Sequence, residues 1–305
     1  MGCAAGAQSK LLVSTSTTFN ASSERYAFIY ETIQKQGRIV GPRGITGTRS
    51  QPAERTKLGQ YKVGGRLAMD TSPLDLDKWL PRILGAAEDD DVFAVAETLP
   101  AFYTLINKVS AVFRYDSCYI NRAVFRGEAD PEGEGSIIEF LLDIMAKDET
   151  LGVTWPDPEP ALGVAAANAP YILHEGVLTI DSVAYPIRDF VLALDNHMEP
   201  RWVNSITATE ICPQSRTVIL RTTNPFTATE YADLYNNTDA RSGVAADLTF
   251  TNGDFSTEFA LAGLQWADTT PVVKGKFEIP LYLDFAARMK STDREIVVTN
   301  VSVAP

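Results

Sequence analysis

Asp70-Thr71-Ser72-Pro73-Leu74-Asp75-Leu76-Asp77-Lys78-Trp79-Leu80 reads as helix in a chain otherwise made of short extended runs. Ser72 is the N-cap, since its hydroxyl can accept from an amide of the first turn. Pro73 stands at the first helical position, where a missing N–H costs nothing. Leu76, Trp79, Leu80 and Ile83 form one apolar stripe, and Gly85 supplies the stop. Only one other segment reads this way, so the chain is predicted to be mainly β.

That second segment is Thr222-Thr223-Asn224-Pro225-Phe226-Thr227-Ala228-Thr229-Glu230-Tyr231. Asn224 is expected to cap it, Pro225 to open it, and Phe226, Tyr231, Leu234 and Tyr235 to be its buried face. The two segments match at one constant offset: Thr71 with Thr223, Ser72 with Asn224, Pro73 with Pro225, Leu74 with Phe226, and Trp79 with Tyr231. A looser echo joins Ile45-Thr46-Gly47-Thr48 to Ile206-Thr207-Ala208-Thr209. Either the chain is an internal duplication, or a common strand–cap–proline–helix device has arisen twice.

Working outward, extended runs rich in Val, Ile, Thr and aromatic residues are broken by Gly and Pro. In the first half they are Tyr26–Ile33, Ile45–Thr48, Tyr61–Met69, Val92–Thr98, Phe102–Arg114 and Ser136–Ala146. The last could be helical, and is assigned as strand. In the second half they are Gly176–Ile180, Ile187–Leu194, Ser205–Cys212, Thr217–Thr222, Asp247–Phe250, Phe255–Leu261, Lys276–Phe285 and Glu295–Val303. Pro156, Pro158 and Pro160 cannot sit inside a sheet. The expected division is an arm over 1–25, poorly ordered or ordered only on assembly, units over 26–155 and 169–305, and a Pro-rich linker over 156–168.

The composition excludes several functions. The chain has 305 residues, 45% hydrophobic and 22% charged, as in ordinary globular proteins. A net charge of -12 argues against a protein that grips nucleic acid, and suits a surface that DNA passes without sticking. No apolar run is long enough to span a bilayer, and Met1-Gly2-Cys3-Ala4-Ala5-Gly6 lacks the features of a lipid anchor. Cys3, Cys118 and Cys212 are too scattered for a disulfide framework or a zinc site. His174 and His197 lie in unrelated contexts, and Asp195-Asn196-His197 reads as a turn. No nucleophile elbow, phosphate loop or dinucleotide fingerprint appears. Glu88-Asp89-Asp90-Asp91 and Glu128–Glu134 lack the ligand alternation of a calcium loop. No cofactor, metal or catalytic residue is expected.

One segment departs from the acidic background. Residues 38–62 carry Arg38, Arg43, Arg49, Arg55, Lys57 and Lys62 against a single acid, Glu54. A long basic loop on an acidic protein suits contact with another copy of itself. It lacks the interleaved aromatic residues of a single-strand nucleic-acid groove.

With these residues in view, the chain resembles the major tail tube proteins of long-tailed bacteriophages. The resemblance rests on the opening through Ser14-Thr15-Ser16-Thr17-Thr18-Phe19, on Gly44-Ile45-Thr46-Gly47-Thr48-Arg49, on Val63-Gly64-Gly65-Arg66-Leu67, and on Thr71–Leu84 with Gly85. Tyr115-Asp116-Ser117-Cys118-Tyr119-Ile120-Asn121, Ser136–Lys147, Phe190–Asn196 and Thr222–Tyr231 extend it. Asp130-Pro131-Glu132-Gly133-Glu134 departs from the pattern, and no immunoglobulin-like extension is recognisable. The resemblance implies β-sandwich or half-barrel domains with flanking short helices, assembling into rings whose inner wall is a continuous β-barrel. The rings would stack into a virion tail tube, assembled in the bacterial host cytoplasm. The implied partners are other copies of the chain, a tape-measure protein, tail terminator and distal tail proteins, and DNA in transit without specific binding; no membrane is involved. The alternative reading from another class is a carbohydrate-binding or adhesin-like β-sandwich. Read with the duplication, three chains would close a ring, with Arg43, Arg49, Arg55 and Lys57 reaching the adjacent ring.

Overall fold

The computed structural model describes residues 6–41, 44, 50, 53–85, 91–130, 136–163, 169–226, 231, 243–266, 270–273, 275–276 and 279–302. Strands dominate, as the sequence predicts. The first half holds β1 (Lys10–Ser14), β2 (Glu24–Tyr26), β3 (Tyr30–Glu31), β4 (Gln34–Gln36), β5 (Ile39–Val40), β6 (Lys57–Leu58) and β7 (Lys62–Asp70). Helix α1 (Pro73–Leu84) follows, then β8 (Val92–Ala94), β9 (Phe102–Asn107), β10 (Val112–Glu128), β11 (Glu139–Ala146) and β12 (Asp148–Leu151). The second half holds β13 (Gly176–Ile180), β14 (Val183–Tyr185), β15 (Asp189–Asp195), β16 (Glu199–Arg201) and β17 (Glu210–Cys212). It ends with β18 (Thr217–Pro225), β19 (Val244–Asn252), β20 (Phe255–Trp266), β21 (Pro280–Ala287) and β22 (Val297–Val301).

Helix α1 forms where its sequence predicts. Ser72 Oγ accepts from the Asp75 N–H and donates to the Asp75 carboxylate at 2.8 Å. Gly85 closes the helix at φ 87, a left-handed conformation, with its N–H on Pro81 O. A Cβ at Gly85 would lie 2.3 Å from Thr98 O, so the stop needs glycine twice over. Trp79 is fully buried between Tyr26 and Phe102, with ring centroids 5.2 and 5.8 Å away.

The second helix start is corrected. Asn224 and Pro225 end strand β18, opposite Leu281 and Pro280 of β21, rather than opening a helix. Asn224 is buried, donating to Pro186 O and accepting from Thr222 Oγ1. Pro225 is tolerated because it falls at the strand's last position. Residues 227–230 and 232–242, including Leu234 and Tyr235, lie outside the described residues. Tyr231 is helical and packs edge-on against Phe226 and Trp266.

Strand β1 corrects another expectation. Far from being a loose arm, Leu11, Leu12 and Val13 are at most 1% exposed, and β1 lies between β2 and β9. The small polar residues around it mask a three-residue apolar run too short to stand out. The run over Phe102–Arg114 is two strands, β9 and the start of β10, joined by a hairpin. Of Ser205–Cys212 only Glu210–Cys212 is strand, paired with β16. Ile45–Thr48 lies outside the described residues.

One antiparallel sheet runs β3/β4–β7–β11–β10–β15–β18–β21 and so crosses from one half to the other. Three sets of pairings recur on either side of the β10–β15 junction. β1 pairs β2 and β9 as β13 pairs β14 and β19, with Leu11 facing Tyr26 and Leu178 facing Tyr185. β10 pairs β9, β11 and β12 as β20 pairs β19, β21 and β22. β7 pairs β3 and β11 as β18 pairs β15 and β21. Even the bulge recurs: Tyr115 and Cys118 face Thr104 and Phe102, and Leu261 and Leu264 face Ala246 and Val244. In this register Asp70 corresponds to Pro225, so the sequence match of Pro73 to Pro225 is out of step with the strands.

Buried polar groups also cross between the halves. Tyr171 OH bonds Thr257 Oγ1 at 3.0 Å, Thr257 donates to Asn300 Oδ1 at 2.6 Å, and Asn300 Nδ2 donates to Pro73 O at 3.0 Å. Glu159 of the Pro-rich segment pairs with both Lys10 and Arg25 at 2.7 Å.

Candidate assembly surfaces

Because side chains alternate along a strand, the crossing sheet has one face in the core and a second face outside it. The core face carries Leu67, Phe140, Phe125, Leu192, Leu220 and Phe285. The second face is organised in rows by the strand register. Its middle row is apolar: Ala68, Leu141, Val124, Ala193, Ile219 and Ala286 stand opposite one another in turn. A flanking row alternates in sign, Arg66, Asp143, Arg122 and Asp195. Arg66 Nε donates to Asp143 Oδ1 at 2.6 Å, and this pairing raises the Arg66 pKa.

The row on the other flank holds Asp70, Glu139, Arg126, Val191, Arg221 and Asp284. Arg126 pairs with Glu139, and Arg221 Nε with Asp284 at 3.0 Å. Asp70 has no such partner in its row; burial, then the Glu139 charge opposite, raises its pKa. Glu128 and Asp189 form a further opposed pair of carboxylates. Arg66, Arg126 and Arg221 on this face are thus paired with carboxylates, Arg122 stands in register between Asp143 and Asp195 with its Nε buried and without a partner, and acids outnumber bases.

The basic segment emerges from a small hairpin, β5 on β6, with Ile39, Val40 and Leu58 56–78% exposed. Arg55 lies in a short helical turn and Lys57 on β6, both exposed. Arg43 and Arg49 lie outside the described residues. Ser72 and Pro73 serve helix α1 internally and are buried.

The groups that could carry chemistry are placed otherwise. His174 and His197 are exposed on separate turns; the His197 N–H donates to Asp195 Oδ1 at 2.8 Å, with φ 45. Burial pushes the Cys118 thiol up to about 12, so it packs as a small apolar group. Among the described residues no three His, Cys, Asp or Glu side chains gather as a metal site, and no helix is long and apolar enough to cross a membrane. The two acidic runs fall mostly outside the described residues. Among the described residues the exposed aromatic side chains are dispersed, with Tyr30 and Tyr282 at opposite ends of the crossing sheet, and do not form an adhesin platform.

Sequence reasoning missed the second face as a surface, although its alternation was present in Val124 to Glu128 and Asp189 to Asp195. The pattern is masked because its middle row is itself apolar, making each strand look buried on both sides.

A comparison with curated proteins finds no match. The family model described as phage tail tube protein matches residues 6–287, nearly the whole chain. That family is structural and not one of enzymes. A mainly antiparallel fold, a sheet with a finished second face, and this match agree: the chain belongs to the phage tail tube protein family and is a structural protein of the virion tail.

Proposed function

We propose that three copies of this chain close each ring of the tube, each copy contributing two equivalent sheet units. The observation that carries this reading is the recurrence of strand pairings and bulge on either side of the β10–β15 junction. A duplicated unit fills two places of a ring, so half as many chains are needed. The first unit runs from β1 to β12 and the second from β13 to β22, with the Pro-rich segment 156–168 between them.

The second face of the crossing sheet is the channel wall. Three of its four arginines, Arg66, Arg126 and Arg221, are held by neighbouring carboxylates, and the surplus of acids on the face disfavours retention of a phosphate backbone in transit. The chain has no catalytic role, and its remaining contacts are with the tape-measure, tail terminator and distal tail proteins. Assembly takes place in the host cytoplasm. The basic loop with Arg43, Arg49, Arg55 and Lys57 reaches acidic segments of the adjacent ring.

Electron microscopy of tube cross-sections tests the arrangement. Three chains per ring, each giving two similar sheets to the wall, is the expected result; six chains with one sheet each would end it.

A further inference from the structure

Two ion pairs on the second face of the crossing sheet are the same pair twice. The shared bulge sets the correspondence between the halves without reference to either pair: beyond it Tyr119 faces Met145, as Gln265 faces Ala286. Met145 in turn faces Gly64, and Ala286 faces Ile219. Two positions along the same strands, Asp143 faces Arg66 and Asp284 faces Arg221. Both couples are joined. Arg66 donates from Nε at 2.6 Å and from Nη2 at 3.0 Å to the two carboxylate oxygens of Asp143, and Arg221 Nε donates to Asp284 Oδ2 at 3.0 Å. Their neighbours on this face differ between the halves. Gly64 answers to Ile219, Ala68 to Thr223, Leu141 to Tyr282, and Glu139, which holds Arg126, to Pro280.

The two pairs stand in different rows only because the halves are staggered. Ile219 shares the middle row with Ala68, yet it answers to Gly64, four positions earlier, and four strand steps separate β7 from β18. That is one residue of stagger per strand. With a rise of about 3.3 Å per residue and a strand spacing of about 4.8 Å, it corresponds to strands tilted by about 35°. Closed barrels have tilts of about 35–45°. In a ring closed with this tilt, equivalent residues lie at one height, so both ion pairs fall on a single circle around the channel.

We propose that these pairs form a belt at one level of the channel, two from each copy, in which Asp143 and Asp284 withhold Arg66 and Arg221 from a passing phosphate backbone. This rests on the ring and channel readings above and names the residues that make the channel indifferent to DNA. Folding does not account for the recurrence: with side chains 28–63% exposed, such pairs contribute little to stability. A guanidinium fork matches a phosphate as well as it matches a carboxylate. An arginine facing the channel therefore grips DNA unless its fork is already filled. Arg122, which also faces Asp143, has Asp195 on its other side and its Nε buried.

Retention of short duplex DNA by assembled tubes tests the belt. Tubes of the unmodified chain should hold no DNA in nuclease-resistant form. Asp143→Asn with Asp284→Asn should hold about tenfold more than those tubes, and should lose that gain between about 50 and 200 mM salt. Adding Arg66→Gln and Arg221→Gln should return the tubes to the unmodified level. Asp284→Asn alone, at the more exposed pair, should give a smaller gain with the same salt dependence, and serves if the double variant folds poorly. Asn-variant tubes that hold no DNA, a quadruple variant that still holds it, or unmodified tubes that hold it would each overturn the proposal. Folded double-variant subunits that no longer assemble would also overturn it, because the pairs would then belong to a joint between copies. Tube cross-sections with β7 and β18 on the outer wall would instead overturn the channel reading, and unmodified subunits that form no rings would overturn the ring reading.

Discussion

Asn196 Nδ2, from the second half of the chain, donates to Ile83 O in the last turn of helix α1 at 3.2 Å. The same amide reaches Ile120 O at 3.1 Å, and the side chain is 2% exposed. A carbonyl that the helix leaves without an internal partner is thus satisfied by a residue more than a hundred positions away. Asn196→Leu should leave two buried carbonyls short of a donor and cost about 1–3 kcal/mol. Chemical denaturation of the free subunit measures this, and a loss below about 0.5 kcal/mol would remove the role given to Asn196.

Leu12 offers a test of where the fold begins. It is fully buried on β1, facing Arg25 of β2 and Leu105 of β9. Leu12→Ala should cost about 2–5 kcal/mol. A change near zero would mean that the first residues are an accessory arm after all.

Asp70 should carry part of the pH dependence. Burial and the facing Glu139 raise its folded pKa, so the folded state holds its proton more tightly than the unfolded chain. Stability from this group is full below the unfolded value of about 4 and is lost as pH rises through the folded pKa. Asp70→Asn should therefore melt at or above the parent temperature at pH 7, with the difference closing towards pH 4. A lower melting temperature at pH 7 would assign Asp70 a favourable partner instead.

The basic loop should govern tube growth rather than folding. Exposed ion pairs contribute about 0.2–1 kcal/mol each, and a ring repeats each of them symmetrically. Arg49→Glu with Arg55→Glu and Lys57→Glu should give soluble subunits with an unchanged melt that do not elongate. Long tubes from this variant under the microscope would remove the loop from the ring-to-ring contact.

Much of the fold was legible locally. The Ser72 cap, Pro73, the Trp79 stripe and the Gly85 stop sit within a few residues of one another, and their chemistry is decided there. The start at Asn224 and Pro225 failed because the same residue types also end a strand, and pairing with Leu281 and Pro280 across the sheet decided the outcome. Leu11 to Val13 were overlooked because their burial comes from β2 and β9, distant in sequence. The second face of the crossing sheet was illegible for a related reason: the match of Arg66 with Asp143, or Arg221 with Asp284, exists only once register is set.

The β10–β15 ladder also has a kinetic consequence. Within a single chain the two units meet at an effective concentration set by their short tether, on the order of millimolar for a flexible linker. In a three-chain ring, half of the unit-to-unit joints are thus made during folding, before any encounter between chains. Ring closure then needs fewer collisions, and partially closed arcs expose fewer sticky ends. In such a ring the two units would also be free to diverge, because each would present one edge to a permanent joint within the chain and the opposite edge to a joint made between chains.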